Sequence, residues 1–222
     1  MKYVIGNWKS NKTSHEVAQW IQDFSLQKNE NVRVVIAPAT IHLTQFSSEK
    51  RDEIFLASQD VSHLPMGSYT GAVSARQLGD LGVKYALVGH SERRRYFAET
   101  HAQVADKIAH LVEEGITPVL CVDVEYVDAQ ADLISPEHYK KIIVAYEPLA
   151  AIGSGKSQDV GEVKSVLNSI RLIFGENTAV LYGGSVTEFN VREYALICDG
   201  VLVGGASLDA GHFSRIVKSV IA

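Results

Sequence analysis

The sequence predicts an α/β fold, a single (β/α)8 barrel over residues 1–222 with a shortened fifth βα unit. Three observations predict it. Short runs of β-branched and apolar residues alternate with longer segments of helical periodicity. Eight such units of about 28 residues fill the 222 residues, and eight is the number that closes a barrel. Most runs are almost wholly apolar, which is typical of parallel strands covered on both faces.

The predicted strands are short and follow one another at regular spacing. In order they are Lys2–Trp8, Val32–Pro38, Ile54–Gln59, Tyr85–His90, Thr117–Asp123, Ile142–Glu147, Thr178–Gly183 and Gly200–Gly204. Clear helical patterns follow the first, fourth and sixth strands, at Ser14–Leu26, His101–Glu114 and Gly161–Phe174. Asp159 is expected to cap the last of these helices, which ends before Gly175.

The fifth unit differs from the others. Its segment between Asp123 and Ile142 is broken by Pro136 and has room for only about two helical turns. The structural alternative is an open, doubly wound sheet. That fold usually carries a Gly-rich fingerprint after the first strand, whereas this chain has GNWKSN there, which favours the barrel.

Composition excludes several classes of function. With 21 basic and 26 acidic residues the net charge is −5, which argues against a nucleic-acid binder or a protein of acidic membrane surfaces. Cys121 and Cys198 lie in apolar stretches, so we expect two buried thiols rather than a disulfide or zinc framework. No signal peptide or membrane-spanning run is visible, and we expect a cytoplasmic protein.

Polar residues follow several strands, and in a barrel the carboxyl ends of the strands form the active site. Asn7 and Lys9 end the first strand, His90 and Glu92 the fourth, and Glu147 the sixth. One histidine and one glutamate without further clustered ligands do not make a metal site, so no metal is predicted.

Glu147 closes an apolar strand, where desolvation makes a carboxylate more basic and suits it to take a proton. The alternative is a rim carboxylate paired with a lysine. The glycine-rich segment 150–157 that follows is typical of a mobile lid, which excludes water from reactive intermediates.

His90 precedes a helical turn, whose positive dipole end favours a neutral ring able to donate to a carbonyl oxygen. A histidine satisfied only by backbone groups is the alternative. Lys9, paired with Glu92, is interpreted as a fixed cation for an anionic substrate, against the alternative of an ordinary surface lysine. Three further histidines are predicted to be solvated: His101, His110 and His138.

Two glycine pairs, Gly183–Gly184 and Gly204–Gly205, follow the seventh and eighth strands. Glycine leaves backbone N–H groups bare, and these are the loops where barrels commonly bind phosphate. A base, a neutral electrophile, a cation and a phosphate cradle together suit proton abstraction beside a carbonyl on a small phosphorylated sugar.

Six motifs carry a resemblance to a known family. They are GNWKSNKT (6–13), TGAVSARQLGDLG (70–82), VGHSERR (88–94), VAYEPLAAIGSGK (144–156), LYGGSV (181–186) and DGVLVGGASL (199–208). In these the chain resembles the triosephosphate isomerases. The resemblance implies a TIM barrel that interconverts dihydroxyacetone phosphate and D-glyceraldehyde 3-phosphate through an enediolate, in glycolysis and gluconeogenesis, without a cofactor.

The resemblance also implies residue roles. Glu147 would be the base and His90 the electrophile, with Lys9 and Asn7 binding the substrate and Glu92 supporting Lys9. The phosphate would be held by Gly153, Ser185, Gly183, Gly184, Gly204 and Gly205. The loop around Thr70 enters the partner subunit in family dimers, so a homodimer is expected, although shortened relatives also form tetramers.

The chain departs from the family pattern at four places. Ser10 stands where the family usually has methionine, Ala150 where it has a lid-hinge tryptophan, and Ala72 where it has a glutamate that pairs with the arginine matching Arg93. Residues 122–124 read Val-Asp-Val instead of Ile-Gly-Glu. Two other functions therefore stay open: a barrel for a different sugar phosphate, and a weak paralogue kept as a binding protein.

Overall fold

The computed structural model describes residues 1–26, 29–49, 53–149 and 157–221. Its strands are β1 (Lys2–Asn7), β2 (Val32–Ala37), β3 (Ile54–Ser58), β4 (Tyr85–Val88), β5 (Thr117–Val122), β6 (Ile143–Tyr146), β7 (Ala179–Tyr182) and β8 (Gly200–Val203). They are parallel, pair in chain order, and close into a barrel through the pairing of β8 with β1. The predicted barrel is confirmed, and each strand ends one or two residues before its predicted end because the chain turns out of the sheet there.

Helices follow the strands around the outside of the barrel. In the described ranges they are α1 (Ser14–Asp23), α2 (Leu43–Glu49), α3 (Ala75–Asp80), α4 (Ser91–Phe97), α5 (His101–Glu113), α6 (Val127–Ala131), α7 (Val160–Phe174), α8 (Val191–Ile197) and α9 (Ala210–Ile221). None of these described helices is long and apolar enough to cross a bilayer.

Local capping decides where several helices begin. Thr13 and Glu16 form a capping box before α1, and the Asp159 carboxylate accepts two main-chain N–H groups at the start of α7, as predicted. The predicted end of α1 at Leu26 is wrong. The helix stops at Asp23 because Phe24 is extended and stacks its ring on Trp20, inside the core.

The shortened fifth unit is present. After β5 the chain forms the five-residue helix α6 and then a 3₁₀ segment over Pro136–Lys141. Proline at the first position of that segment needs no N–H donor there, which is why the helix restarts at this point.

The core has two layers. Side chains from alternate strand positions fill the barrel interior, and a larger layer lies between the strands and the helices. Both cysteines are buried, as predicted: Cys121 points into the barrel and Cys198 lies in the outer layer. The interior layer comprises Ile5, Val35, Ala37, Ala57, Tyr85, Leu87, Val119, Cys121, Ile143, Ala145, Leu181 and Leu202.

Barrel closure leaves no room for a side chain at Gly200. A Cβ atom there would lie 2.1 Å from the Tyr3 carbonyl oxygen, which is main chain of the neighbouring strand and cannot step aside. We expect Gly200→Ala to lower the free energy of unfolding by about 3 kcal/mol, measured by urea denaturation. Gly79→Ala is the matched control: it lies within α3, and the nearest atoms to an added Cβ are 4.0 Å away, an ordinary contact distance, so it should be neutral or slightly stabilising. Equal stability of the two variants would contradict the expectation.

Candidate active site

A cavity of about 330 Å³ opens at the carboxyl ends of the strands. Eight of the residues predicted from the sequence line it: Asn7, Lys9, His90, Glu147, Gly183, Ser185, Gly204 and Gly205. Glu92 contacts Lys9, whereas Gly184 and Thr70 do not line the cavity. Gly153 and Ala150 lie outside the described residues.

Glu147 follows β6 directly, and its side chain is only 4% exposed. Its Oε1 lies 3.2 Å from Nε2 of His90. Its Oε2 is buried and has no hydrogen-bond partner in the described part of the chain. The predicted burial is therefore confirmed, and no lysine pairs with Glu147 in the described part of the chain. A buried carboxylate oxygen without a hydrogen-bond donor costs free energy. A proton taken from a ligand would remove that cost.

His90 is the N-cap residue of α4, and its imidazole makes two contacts on opposite sides. Nδ1 accepts the main-chain N–H of Glu92 at 3.2 Å, and Nε2 faces the Glu147 carboxylate. Because Nδ1 accepts a hydrogen bond, it carries no proton. In the neutral ring the proton therefore lies on Nε2, on the side of the cavity.

The charge of the His90 ring depends on opposing influences. Burial lowers the pKa of His90, but the adjacent Glu147 carboxylate raises it, and the pKa lies above the usual value for histidine. The hydrogen bond accepted by Nδ1 opposes protonation of the ring, because a charged ring carries a proton on Nδ1 and would lose this bond. The neutral ring stays a prediction.

Lys9 is held in a backbone conformation that is uncommon outside glycine, with φ 52°. The main chain around it is fixed on both sides: its N–H donates to Asn7 Oδ1 at 3.0 Å, and its carbonyl accepts from Gln59 Nε2 at 2.9 Å. Its Nζ lies 2.6 Å from Glu92 Oε1. The ammonium group is thus positioned at the cavity by three separate contacts, which an ordinary surface lysine lacks.

Glycine is suited to the two pairs for different physical reasons. A Cβ at Gly183 would lie 3.0 Å from Glu147 Cγ, and one at Gly184 would lie 2.4 Å from the Tyr182 hydroxyl. These glycines make room for side chains. Gly205 has nothing within 4 Å of the equivalent position and borders the cavity, so its main chain is open to a ligand.

Gln59 was missed in the sequence analysis. It follows β3 and donates to the carbonyl oxygens of both Lys9 and Ala37, each at 2.9 Å. It ties the end of β2 to the turn that carries Lys9. The rule applied to the other strands, that polar residues at carboxyl ends converge, would have found it.

The prediction that His101 is solvated is wrong. Its Nδ1 lies 2.9 Å from an Arg94 guanidinium nitrogen and 3.1 Å from Gln130 Oε1. Arg94 in turn donates from Nε to the carbonyl of Gly89, the residue before His90, at 2.8 Å. His101 and Gln130 therefore belong to a hydrogen-bonded network that supports the His90 turn. His110 and His138 are half-buried, so each keeps part of its surface in contact with solvent.

Arg93 has carboxylate partners within this chain despite Ala72. Its guanidinium lies 2.8 Å from Asp60 and 2.9 Å from Glu99, and Lys107 contacts both of these carboxylates. Glu99 also accepts the N–H of Gly89 at 3.1 Å. This group of two cations and two carboxylates balances its charge and fixes the chain just before His90.

Comparison with known proteins identifies the family. The family model described as Triosephosphate isomerase matches residues 2–220. The triosephosphate isomerase of Mesomycoplasma hyopneumoniae (strain 232) is 38% identical over 237 residues, covering 97% of this chain and 98% of that protein. That of Mycoplasma genitalium is 35% identical, and that of Cytophaga hutchinsonii 34%, each covering 98% of both chains. The chain belongs to the triosephosphate isomerase family.

Proposed function

We infer that the protein is an isomerase that interconverts dihydroxyacetone phosphate and D-glyceraldehyde 3-phosphate by proton transfer through an enediolate. Membership of the family supports this activity over the whole length of the chain. One observation supports the proposed chemistry most directly: Glu147, whose buried Oε2 has no partner in the described ranges, lines the same cavity as His90 and Lys9.

Glu147 is the base in this proposal. It removes the proton from the carbon beside the substrate carbonyl and returns it to the neighbouring carbon. The hydroxyl proton passes from its oxygen to the former carbonyl oxygen, so that the carbonyl and hydroxyl groups exchange places. The nearly complete burial of its carboxylate supports this role, because desolvation makes a carboxylate a better proton acceptor.

His90 and Lys9 stabilise the negative charge that develops on the substrate oxygens. The Nε2–H of the neutral His90 ring donates to the carbonyl oxygen and to the oxygen of the enediolate. Lys9 supplies a fixed positive charge, held in place by Glu92, and Asn7 orients the turn that carries it. Donors fixed in advance need no reorganisation as the charge forms.

The phosphate group lies against the main chain at Ser185, Gly204 and Gly205 in this proposal. These three residues border the cavity, and Gly205 has open space beside it. Asn190 donates from its side chain to the Ser185 carbonyl at 3.1 Å, which holds that turn in place. Gly183 and Gly184 contribute by packing, since neither has room for a side chain.

The activity is tested by following turnover of D-glyceraldehyde 3-phosphate in a coupled assay. We expect rapid, saturable turnover by the purified protein without added metal or cofactor. A folded protein that fails to convert the substrate would contradict the proposal, and would favour a different sugar phosphate or a binding role.

His90→Gln tests the electrophile. Glutamine can still donate a hydrogen bond, but its amide cannot place a donor where Nε2 lies. We expect kcat to fall by about 10²-fold with a much smaller change in KM, because this contact strengthens toward the transition state. His212→Gln, a change on the surface helix α9, is the control. A His90→Gln enzyme with normal kcat would remove His90 from the mechanism.

We propose a homodimer in the cytoplasm as the working state. Large apolar side chains are exposed on the segments after β2, β3 and β4, which are neighbours in the barrel: Ile41, Met66, Tyr69, Tyr96 and Phe97. Thr70 lies in the same region, on an exposed part of the segment between β3 and α3. Light scattering should give twice the mass of one chain. A monomer or a tetramer would contradict the dimer.

A further inference from the structure

Asp123 occupies a position beside the proposed base. In the β5–β6 register, Cys121 pairs with Ala145 and Val122 with Tyr146. The next residues along the two strands are Asp123 and Glu147, so both leave neighbouring strands at the same level of the barrel. The fifth unit, which is shortened in this chain, begins at Asp123.

The Asp123 carboxylate is buried. The residue is 5% exposed and makes no ion pair with any residue in the described ranges. Two main-chain N–H groups satisfy it: that of Leu149 donates to Oδ2 at 2.8 Å, and that of Glu125 donates to Oδ1 at 3.2 Å. Removing a carboxylate from water is costly, and these two hydrogen bonds offset that cost.

The bond to Leu149 completes a fixed segment around Glu147. The N–H of Glu147 donates to the Val122 carbonyl at 2.8 Å, so the segment is tied to the end of β5 at its first residue. Pro148 has a restricted φ and no N–H. Leu149 is tied to Asp123, so the first and third residues are anchored to two consecutive residues, Val122 and Asp123, and Pro148 between them is stiff.

We propose that Asp123 is a positioning residue for Glu147, acting through the main chain of residues 147–149. It keeps the carboxylate of the base in the orientation that reaches the substrate. The proposal rests on the assignment of Glu147 as the base. The anchoring carboxylate lies in the Val-Asp-Val sequence at residues 122–124 of this chain.

Two substitutions at this position separate positioning from folding. Asp123→Ala removes both hydrogen bonds, whereas Asp123→Asn keeps a carbonyl oxygen that can accept from Leu149. We expect Asp123→Ala to lower kcat by about 10- to 100-fold with KM changed less than about threefold, because a small displacement of a base slows proton transfer more than it weakens binding. Asp123→Asn should recover most of kcat.

The control variant lies in the same fifth βα unit as Asp123 and is measured in the same assay. Asp128→Ala removes an exposed carboxylate from α6 and should leave kcat unchanged. Thermal unfolding is measured for every variant, and kinetics are run well below the lowest Tm. The proposal is overturned if folded Asp123→Ala keeps the wild-type kcat, if its main defect is in KM, or if Asp123→Asn is as impaired as Asp123→Ala. Failure of the base assignment is recognised separately, by an active Glu147→Gln enzyme.

Discussion

Glu147→Gln is expected to lower kcat by about 10⁴-fold while the protein stays folded, because glutamine keeps the shape of the side chain but cannot accept a proton from carbon. The fold should tolerate the change, because Oε2 of Glu147 makes no hydrogen bond in the described part of the chain and the amide therefore loses none at that atom. Steady-state kinetics in the coupled assay, with circular dichroism to verify folding, measure the effect.

A second variant at the same position tests geometry separately from chemistry. Glu147→Asp retains a carboxylate but withdraws it by about one methylene, and we expect a loss of several hundred-fold (~10²–10³) in kcat. Glu193→Gln, on an exposed face of α8, is the matched control and should have wild-type activity. Turnover by Glu147→Gln within tenfold of wild type would exclude Glu147 as the base.

Lys9→Ala is expected to impair both binding and chemistry. The ammonium group contacts a substrate that is already anionic and becomes more so at the enediolate, so KM should rise about tenfold and kcat should fall by about 10²- to 10³-fold. Both constants follow from initial rates over a range of D-glyceraldehyde 3-phosphate concentrations.

The control for this change is Lys164→Ala, which removes an exposed lysine from α7. It has the same effect on net charge, so it corrects for long-range attraction of the substrate. If Lys9→Ala retained wild-type kcat and KM, the ammonium would have no role at the cavity, and its pairing with Glu92 would be only structural.

Much of the site follows from the sequence because of one geometric rule. Parallel strands in a closed barrel all end at the same edge, so a polar residue that follows any strand arrives there whatever the intervening loop does. Asn7, Lys9, His90 and Glu147 were found in this way. The motif resemblance then suggested their roles, and the cavity lining agrees with their placement.

The roles of the supporting residues other than Glu92 were not predicted, even though the strand-end rule would have located Gln59, because these roles depend on partners distant in sequence. Gln59 reaches Lys9 across 50 residues, and Gln130 reaches Arg94 across 36. His101 looked like a solvated helix residue because the sequence pattern around it does not reveal that Arg94 and the short helix α6 pack over it. No local pattern predicts such pairs.

The sequence by itself determined the number and order of the strands, the short fifth unit and the residues at the carboxyl edge, since these follow from local hydrophobic periodicity and chain order. Only the tertiary structure decided which side chains meet: the neutralisation of Arg93 within the chain, the tight packing at Gly183 and the anchoring of Leu149 by Asp123. The physical reason is the separation along the chain over which each effect acts. Periodicity is a property of neighbours in sequence, whereas hydrogen bonds and steric limits act between atoms brought together by barrel closure.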